Sequence, residues 1–77
     1  MKKYEAYFEK ERMLYVLAVV KGDTVESALH MGIMLGYKDA LFNTGVDFET
    51  ICYLHNRLMS AIDFAYRMKI RYRKERK

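Results

Sequence analysis

The most constraining feature of this chain is its C-terminal stretch, residues 47–77, which contains neither glycine nor proline. Because these two residues interrupt helices most readily, the stretch is predicted to form one continuous helix. At a rise of about 1.5 Å per residue, this helix would be about 46 Å long. A compact chain of 77 residues is only about 30 Å across. The final segment, residues 67–77, is therefore expected to project from the body or to lie against a partner.

The charges of the chain are segregated along the sequence. Residues 1–66 carry seven Lys or Arg and nine Asp or Glu, whereas residues 67–77 carry seven Lys or Arg and one Glu. The helix dipole favours cations only in the last turn, so it does not explain three basic turns. The segment is predicted to bind a partner or phosphates through Arg67, Lys69, Arg71, Tyr72, Arg73, Lys74 and Arg76. The alternative is a solvated tail that keeps the protein in solution.

The small size of the chain limits its stability. A domain of this length buries only about 60% of its unfolded surface, so it commonly depends on a disulfide, a metal or association. An internal disulfide is impossible because Cys52 is the only cysteine, so association is the expected support. The longest apolar run, residues 13–20, is too short to span a membrane, and no signal-peptide pattern is present. A soluble cytoplasmic protein is expected.

Local signals predict four helices, at about residues 3–21, 24–35, 37–43 and 47–75. Gly22 suits the position that follows the end of the first helix. Asp23 is placed to cap the second helix, with Glu26 at the third position of a capping box. Gly36 is predicted to end that helix, and Asp47 to cap the long one. The whole chain is therefore predicted to be one all-α domain, a three- or four-helix bundle.

Small residues recur at every fourth position of the second predicted helix, at Ala28, Gly32 and Gly36. Such a stripe lets another helix approach the backbone closely. Close packing is the favoured interpretation at Gly32. At Gly36 the end of a helix is favoured instead.

The long helix is apolar on more than one side. One stripe is spaced for contact with the core and contains Ile51, Leu54, His55, Leu58, Ala61, Ile62, Ala65 and Met68. Further side chains lie outside this stripe: Met59 and Tyr66 line a second flank with Cys52, and Phe64 lies on the back with Tyr53 and Arg57. These five residues are predicted to form a protein interface: Tyr53, Arg57, Met59, Phe64 and Tyr66. One neighbouring helix cannot cover both sets, so pairing with a second copy in a homodimer, or with another protein, is expected.

The stretch between Thr24 and Asn43 resembles the helix-turn-helix of phage repressors of the lambda type. The shared residues are Ala28, Met31, Gly32 and the Ala-Leu-Phe-Asn of residues 40–43. The resemblance implies a turn at Gly32 and a following helix that reads bases in the major groove. Residues 34–37 would open that helix, yet nearly all of them lack the groups that pair with bases. The alternative is a coincidental match or a shared helical corner without DNA recognition.

No catalytic or cofactor signature is found in the sequence. Two copies of Cys52 and His55 would match the ligands of a structural zinc site, but one chain supplies too few, and a buried cysteine beside an ordinary histidine is commoner. Cys52 lacks the orienting acid and oxyanion loop that a nucleophile needs. Asp63 is better explained by an ion pair with Arg67. No metal, cofactor, small-molecule substrate or enzymatic activity is expected.

Together these features predict a non-enzymatic protein-interaction module, either an adaptor or an inhibitor. Its aromatic and Met-rich helical surface would dock on another protein, and its basic C-terminal helix would reinforce the contact. The alternative is a small DNA- or RNA-binding regulator with the basic helix on phosphates. Small single-domain proteins of this kind are frequent among phage and mobile-element products.

Overall fold

The computed structural model describes residues 3–75, apart from the side chain of residue 75. This part of the chain forms three helices and no strand: α1 (Lys3–Lys21), α2 (Thr24–Asn43) and α3 (Phe48–Glu75). The predicted all-α class is thus confirmed. The molecule is elongated, with principal extents of 49 × 21 × 17 Å, because the 28 residues of α3 extend over about 42 Å.

The three helices lie side by side and run up, down and up. A tight turn joins α1 to α2, so these two helices are antiparallel. By contrast, α3 is parallel to α1: Glu9 contacts Arg57 near one end, and Val19 lies beside Tyr66 near the other. The long helix α3 therefore packs on the hairpin of α1 and α2, mainly against α1.

Glycine allows both turns that separate the helices. At the end of α1, Gly22 has a φ of 80°, and the N–H of Asp23 donates to the carbonyl of Ala18 at 2.9 Å. This is the hydrogen-bond pattern of a Schellman cap. Gly45, with a φ of 91°, ends α2 in the same way.

Aspartate caps the start of each of the two following helices. The Asp23 carboxylate accepts from the N–H of Glu26 at 2.9 Å, and the Asp47 carboxylate accepts from the N–H of Thr50 at 3.1 Å. The Glu26 side chain reaches His30 instead of completing a capping box. Each cap satisfies an N–H group that has no partner within its helix.

The prediction of two short helices in the middle of the chain is wrong, because α2 is continuous through Gly32 and Gly36. A glycine inside a helix costs only about 1 kcal/mol relative to alanine. Met34 is buried in the core and Tyr37 packs against it. These contacts lie on either side of Gly36 and stabilise the helix there. Without a turn at Gly32, the segment has no helix-turn-helix geometry, so the resemblance to phage repressors does not extend to the fold.

We expect Gly36→Ala to stabilise the protein by up to about 1 kcal/mol, because alanine restricts the unfolded chain and favours a helix. No atom lies within 4 Å of a Cβ placed at this position, or at Gly32. Urea unfolding followed by circular dichroism measures the change. Gly22→Ala is the matched control and should be destabilising because of its positive φ. A loss of stability in Gly36→Ala would contradict the conclusion that the surface at Gly36 has room for a methyl group.

The core lies where the three helices meet. Its buried cluster contains Phe8, Tyr15, Val19, Met34, Leu54, Leu58, Ala61 and Ala65. Most of the stripe predicted on α3 is at least half-buried, as expected from its spacing. His55 is the exception, since it is exposed and accepts a hydrogen bond from Lys38 at 3.1 Å. His55 lies at the edge of the stripe, where α3 faces the side chain of Lys38 in α2.

Candidate interaction surfaces

The apolar side chains predicted to form an interface lie on two different flanks of α3. Tyr53, Met59, Phe64 and Tyr66 are all between 49% and 52% exposed. Phe64 lies beside α1, whereas Tyr66 lies beside the start of α2. Tyr53 shares the first flank, and Met59, two helical turns before Tyr66, shares the second. These two flanks correspond to the two sides of α3 that the helical spacing distinguishes.

Arg57 was predicted to belong to the interface, but its side chain forms hydrogen bonds that join α3 to α1. Its Nε and Nη2 donate to the two carboxylate oxygens of Glu9 at 2.9 Å and 3.0 Å. Arg12 donates to the same carboxylate at 2.8 Å. The hydrogen bonds from Arg57 hold the pKa of Glu9 below its ordinary value, against the opposing effect of burial. Sequence position alone did not reveal a partner 48 residues away.

The first surface is a groove between α1 and α3, here called the α1/α3 groove. Its upper part has a volume of about 190 Å³ and is lined by Arg12, Met13, Val16, Leu17 and Phe64. Its lower part has a volume of about 240 Å³ and is lined by residues of α3 alone: Phe64, Arg67, Met68 and Arg71. Phe64 lines both parts, so the two cavities adjoin. Its floor is apolar and its rims carry arginine.

The second surface, here called the α2/α3 face, lies on the side of the molecule away from α1. It consists of Leu35 and Phe42 from α2 and of Phe48, Cys52, Met59, Tyr66 and Ile70 from α3, all of them exposed. The hydrogen bond between Lys38 and His55 crosses from one helix to the other within this face. Exposed apolar side chains grouped in this way commonly mark a contact surface.

The basic end of α3 projects, but it begins later than predicted. Lys69 is half-buried beside the turn between α1 and α2, which shortens the projecting part. Residues 70–74 are all exposed, so neither neighbouring helix covers them. They include Arg71, Tyr72, Arg73 and Lys74, whereas Arg76 lies outside the described residues. Arg67 forms the predicted ion pair with Asp63 at 3.2 Å.

An acidic cleft lies at the opposite end of α3. It has a volume of about 260 Å³ and is lined by Glu5, Asp47, Glu49, Thr50 and Tyr53. The sequence analysis did not identify it, because Glu5 is distant in sequence from the other residues. The concentration of acidic residues at the start of α3 was its only signal. Opposite charges thus occupy the two ends of the long helix.

A buried polar pair fixes the packing of α1 on α2. Glu11 is only 6% exposed, and the Nδ1 of His30 donates to its Oε1 at 2.9 Å. The other ring nitrogen of His30 lies 3.3 Å from Glu26. His30 thus gives the buried carboxyl group of Glu11 a hydrogen-bond partner. The sequence analysis assigned neither residue to this role.

Within residues 3–75, no three His, Cys, Asp or Glu side chains are grouped as metal ligands. Cys52 is exposed, not buried as the sequence suggested, and His55 faces Lys38. In the same part of the chain, no helix combines the length and apolar character required to cross a membrane.

No protein-family model, curated protein or solved structure matches this chain.

Proposed function

We propose that this protein is a non-enzymatic protein-binding module, an adaptor or inhibitor that takes an amphipathic helix of another protein in its α1/α3 groove. The observation that supports the proposal is the exposed apolar lining of this groove. Met13 and Leu17 are 60% and 51% exposed, and Phe64 faces them from α3 at 49%. One helix of a partner could cover these side chains along the length of the groove, which is a common mode of recognition.

The rims of the groove favour a partner helix with acidic flanks. Arg12, Arg67 and Arg71 line the two parts of the groove. The ion pair of Arg67 with Asp63 leaves the two side chains 78% and 64% exposed, and such pairs contribute little to stability. Arg67 can therefore turn toward a carboxylate of the partner at small cost. The projecting residues of α3 would extend the contact beyond the groove.

A peptide-display selection against the intact chain tests this proposal. We expect the selected peptides to carry apolar residues at positions i, i+3, i+4 and i+7 with acidic residues beside them. Leu17→Glu should weaken their binding by about tenfold or more, because it places a charge on the apolar floor. Met59→Glu, on the other exposed flank, is the matched control and should bind normally. Peptides without this spacing, or equal binding by Leu17→Glu, would count against the groove.

The α2/α3 face supports a second proposed association, that of the chain with itself. The groove and this face lie on different flanks of α3, so one occupant does not cover both. A homodimer through the α2/α3 face would leave the groove open for another protein. It would also supply the association on which a domain of this size commonly depends.

Nucleic-acid binding is the second candidate function, and the exposed run of residues 70–74 favours it. Together with Arg67 and Lys69, the basic end could neutralise about five to seven phosphates, which corresponds to a slope of about −5 to −6 in log affinity against log salt. Tyr72 could stack on a base. Fluorescence anisotropy with labelled DNA and RNA oligonucleotides should show this slope, and Arg71→Gln combined with Lys74→Gln should reduce it. Absence of binding at 50 mM salt would exclude this candidate.

A further inference from the structure

We infer that two copies of this chain pair through their α2/α3 faces, with their α3 helices antiparallel around a two-fold axis at Met59. This inference rests on the self-association proposed above and specifies its geometry. It does not depend on what the α1/α3 groove binds. Three features of the α2/α3 face lead to it: the positions of its apolar residues, the positions of its charges and its area.

The apolar residues of α3 on this face are symmetric about Met59. Cys52 and Tyr66 each lie seven residues from it, and Phe48 and Ile70 each lie eleven residues from it. In an antiparallel pair centred on Met59, each residue therefore meets the residue at the mirrored distance in the other copy. Spacings of four and seven keep all five side chains on one face of the helix. A two-fold interface requires such self-complementarity.

The charges beside this stripe are complementary. Glu49 and Arg67 lie on the same side of it, ten residues before and eight residues after Met59. In an antiparallel pair, residues on the same side of the contact line meet, so Glu49 of each copy lies near Arg67 of the other. A parallel pair would instead bring the two basic ends together. The charges consequently favour the antiparallel orientation.

The area of the face is sufficient for a stable dimer. Two adjacent helices about 10 Å wide and about 30 Å long present about 600 Å² per copy. The pair would then bury about 1,200 Å² in total, at the lower end of the range for specific protein interfaces. Leu35 and Phe42 of α2 contribute to this area beside the stripe of α3.

Light scattering and thiol cross-linking test the inference together. The intact chain should have twice its mass of 9.2 kDa. With a short bismaleimide, Tyr66→Cys should cross-link into dimers, because Cys52 of one copy faces position 66 of the other. Within one chain these positions are about 21 Å apart, too far for the reagent. The unaltered chain is the matched control and should not cross-link, whereas a parallel pair would join its two Cys52 thiols. Cross-linking of the unaltered chain, or a monomer at 100 µM, overturns the inference.

A charge exchange gives a second test that leaves the apolar face intact. Glu49→Lys alone and Arg67→Glu alone should each weaken the dimer by about five- to tenfold, because each places like charges at both ends. An equimolar mixture of the two variants should recover the original affinity, since positions 49 and 67 of the two copies are then opposite in charge. Failure of the mixture to recover overturns the geometry. Binding of peptides in the α1/α3 groove by Glu49→Lys should remain unchanged, so the result does not depend on the proposed groove function.

Discussion

Phe8→Ala is expected to destabilise the protein by about 3–5 kcal/mol, the largest effect of any single truncation considered for this chain. The Phe8 side chain is fully buried and belongs to the cluster shared by all three helices. Its removal leaves a cavity that neighbouring side chains only partly fill. A domain of 77 residues has a total stability of roughly 4–12 kcal/mol, so this loss removes a large part of it. Urea unfolding followed by circular dichroism measures the change.

Met13→Ala in the same helix is the matched control for this prediction. Its side chain is 60% exposed, so its truncation should change stability by less than about 1 kcal/mol. Phe8→Leu, which keeps most of the buried volume, should fall between the two and remain folded if Phe8→Ala does not. Equal unfolding midpoints for Phe8→Ala and Met13→Ala would show that the core lies elsewhere.

The contact between Glu9 and Arg57 is expected to give the second large effect. Arg57→Ala removes two charged hydrogen bonds that join α1 to α3. We expect a loss of about 1–2 kcal/mol, a value reduced to allow for screening at this partly exposed arginine. Unfolding in urea at pH 7 measures it. An unchanged midpoint would mean that Arg57 is available for an interface, as its sequence position first suggested.

The same contact has a defined pH dependence. The pKa of Glu9 lies below its ordinary value of 4.5 in the folded protein, so the folded state favours the ionised carboxylate. This contribution to stability is fully present above the unfolded pKa and is lost as the pH falls through the folded pKa. The difference in stability between the native chain and Glu9→Gln should therefore shrink as the pH falls from 7 to below 4.5. A difference that stays constant over this range would contradict the assignment.

The local signals in the sequence identified most of the fold. Gly22 before Asp23, and the capping residue Asp47, marked helix ends because their backbone requirements are local. The spacing of the apolar residues on α3 indicated the side that faces the core. The break predicted at Gly36 failed because the cost of a glycine in a helix is small compared with the burial of Met34 and neighbouring side chains. Tertiary packing, and not local propensity, therefore makes α2 continuous.

The interaction surfaces could be predicted less completely from the sequence. The spacing on α3 placed Met59 and Phe64 on different sides, but the helix alone does not show which neighbouring helix lies beside each. The roles of Arg57 and His30 depend on Glu9 and Glu11, which belong to a different helix. Contacts of this kind depend on how the helices pack together, so the periodicity within one helix does not predict them.

The parallel alignment of α1 and α3 has a consequence for the order of folding. The hairpin of α1 and α2 needs only a tight turn to bring its members together, whereas the contact of Glu9 with Arg57 closes a loop of 48 residues. Because longer loops cost more entropy to close, we expect the hairpin to assemble first and α3 to dock afterwards. Until it docks, the nascent hairpin leaves Met34 uncovered, and this short-lived species is the one most exposed to aggregation.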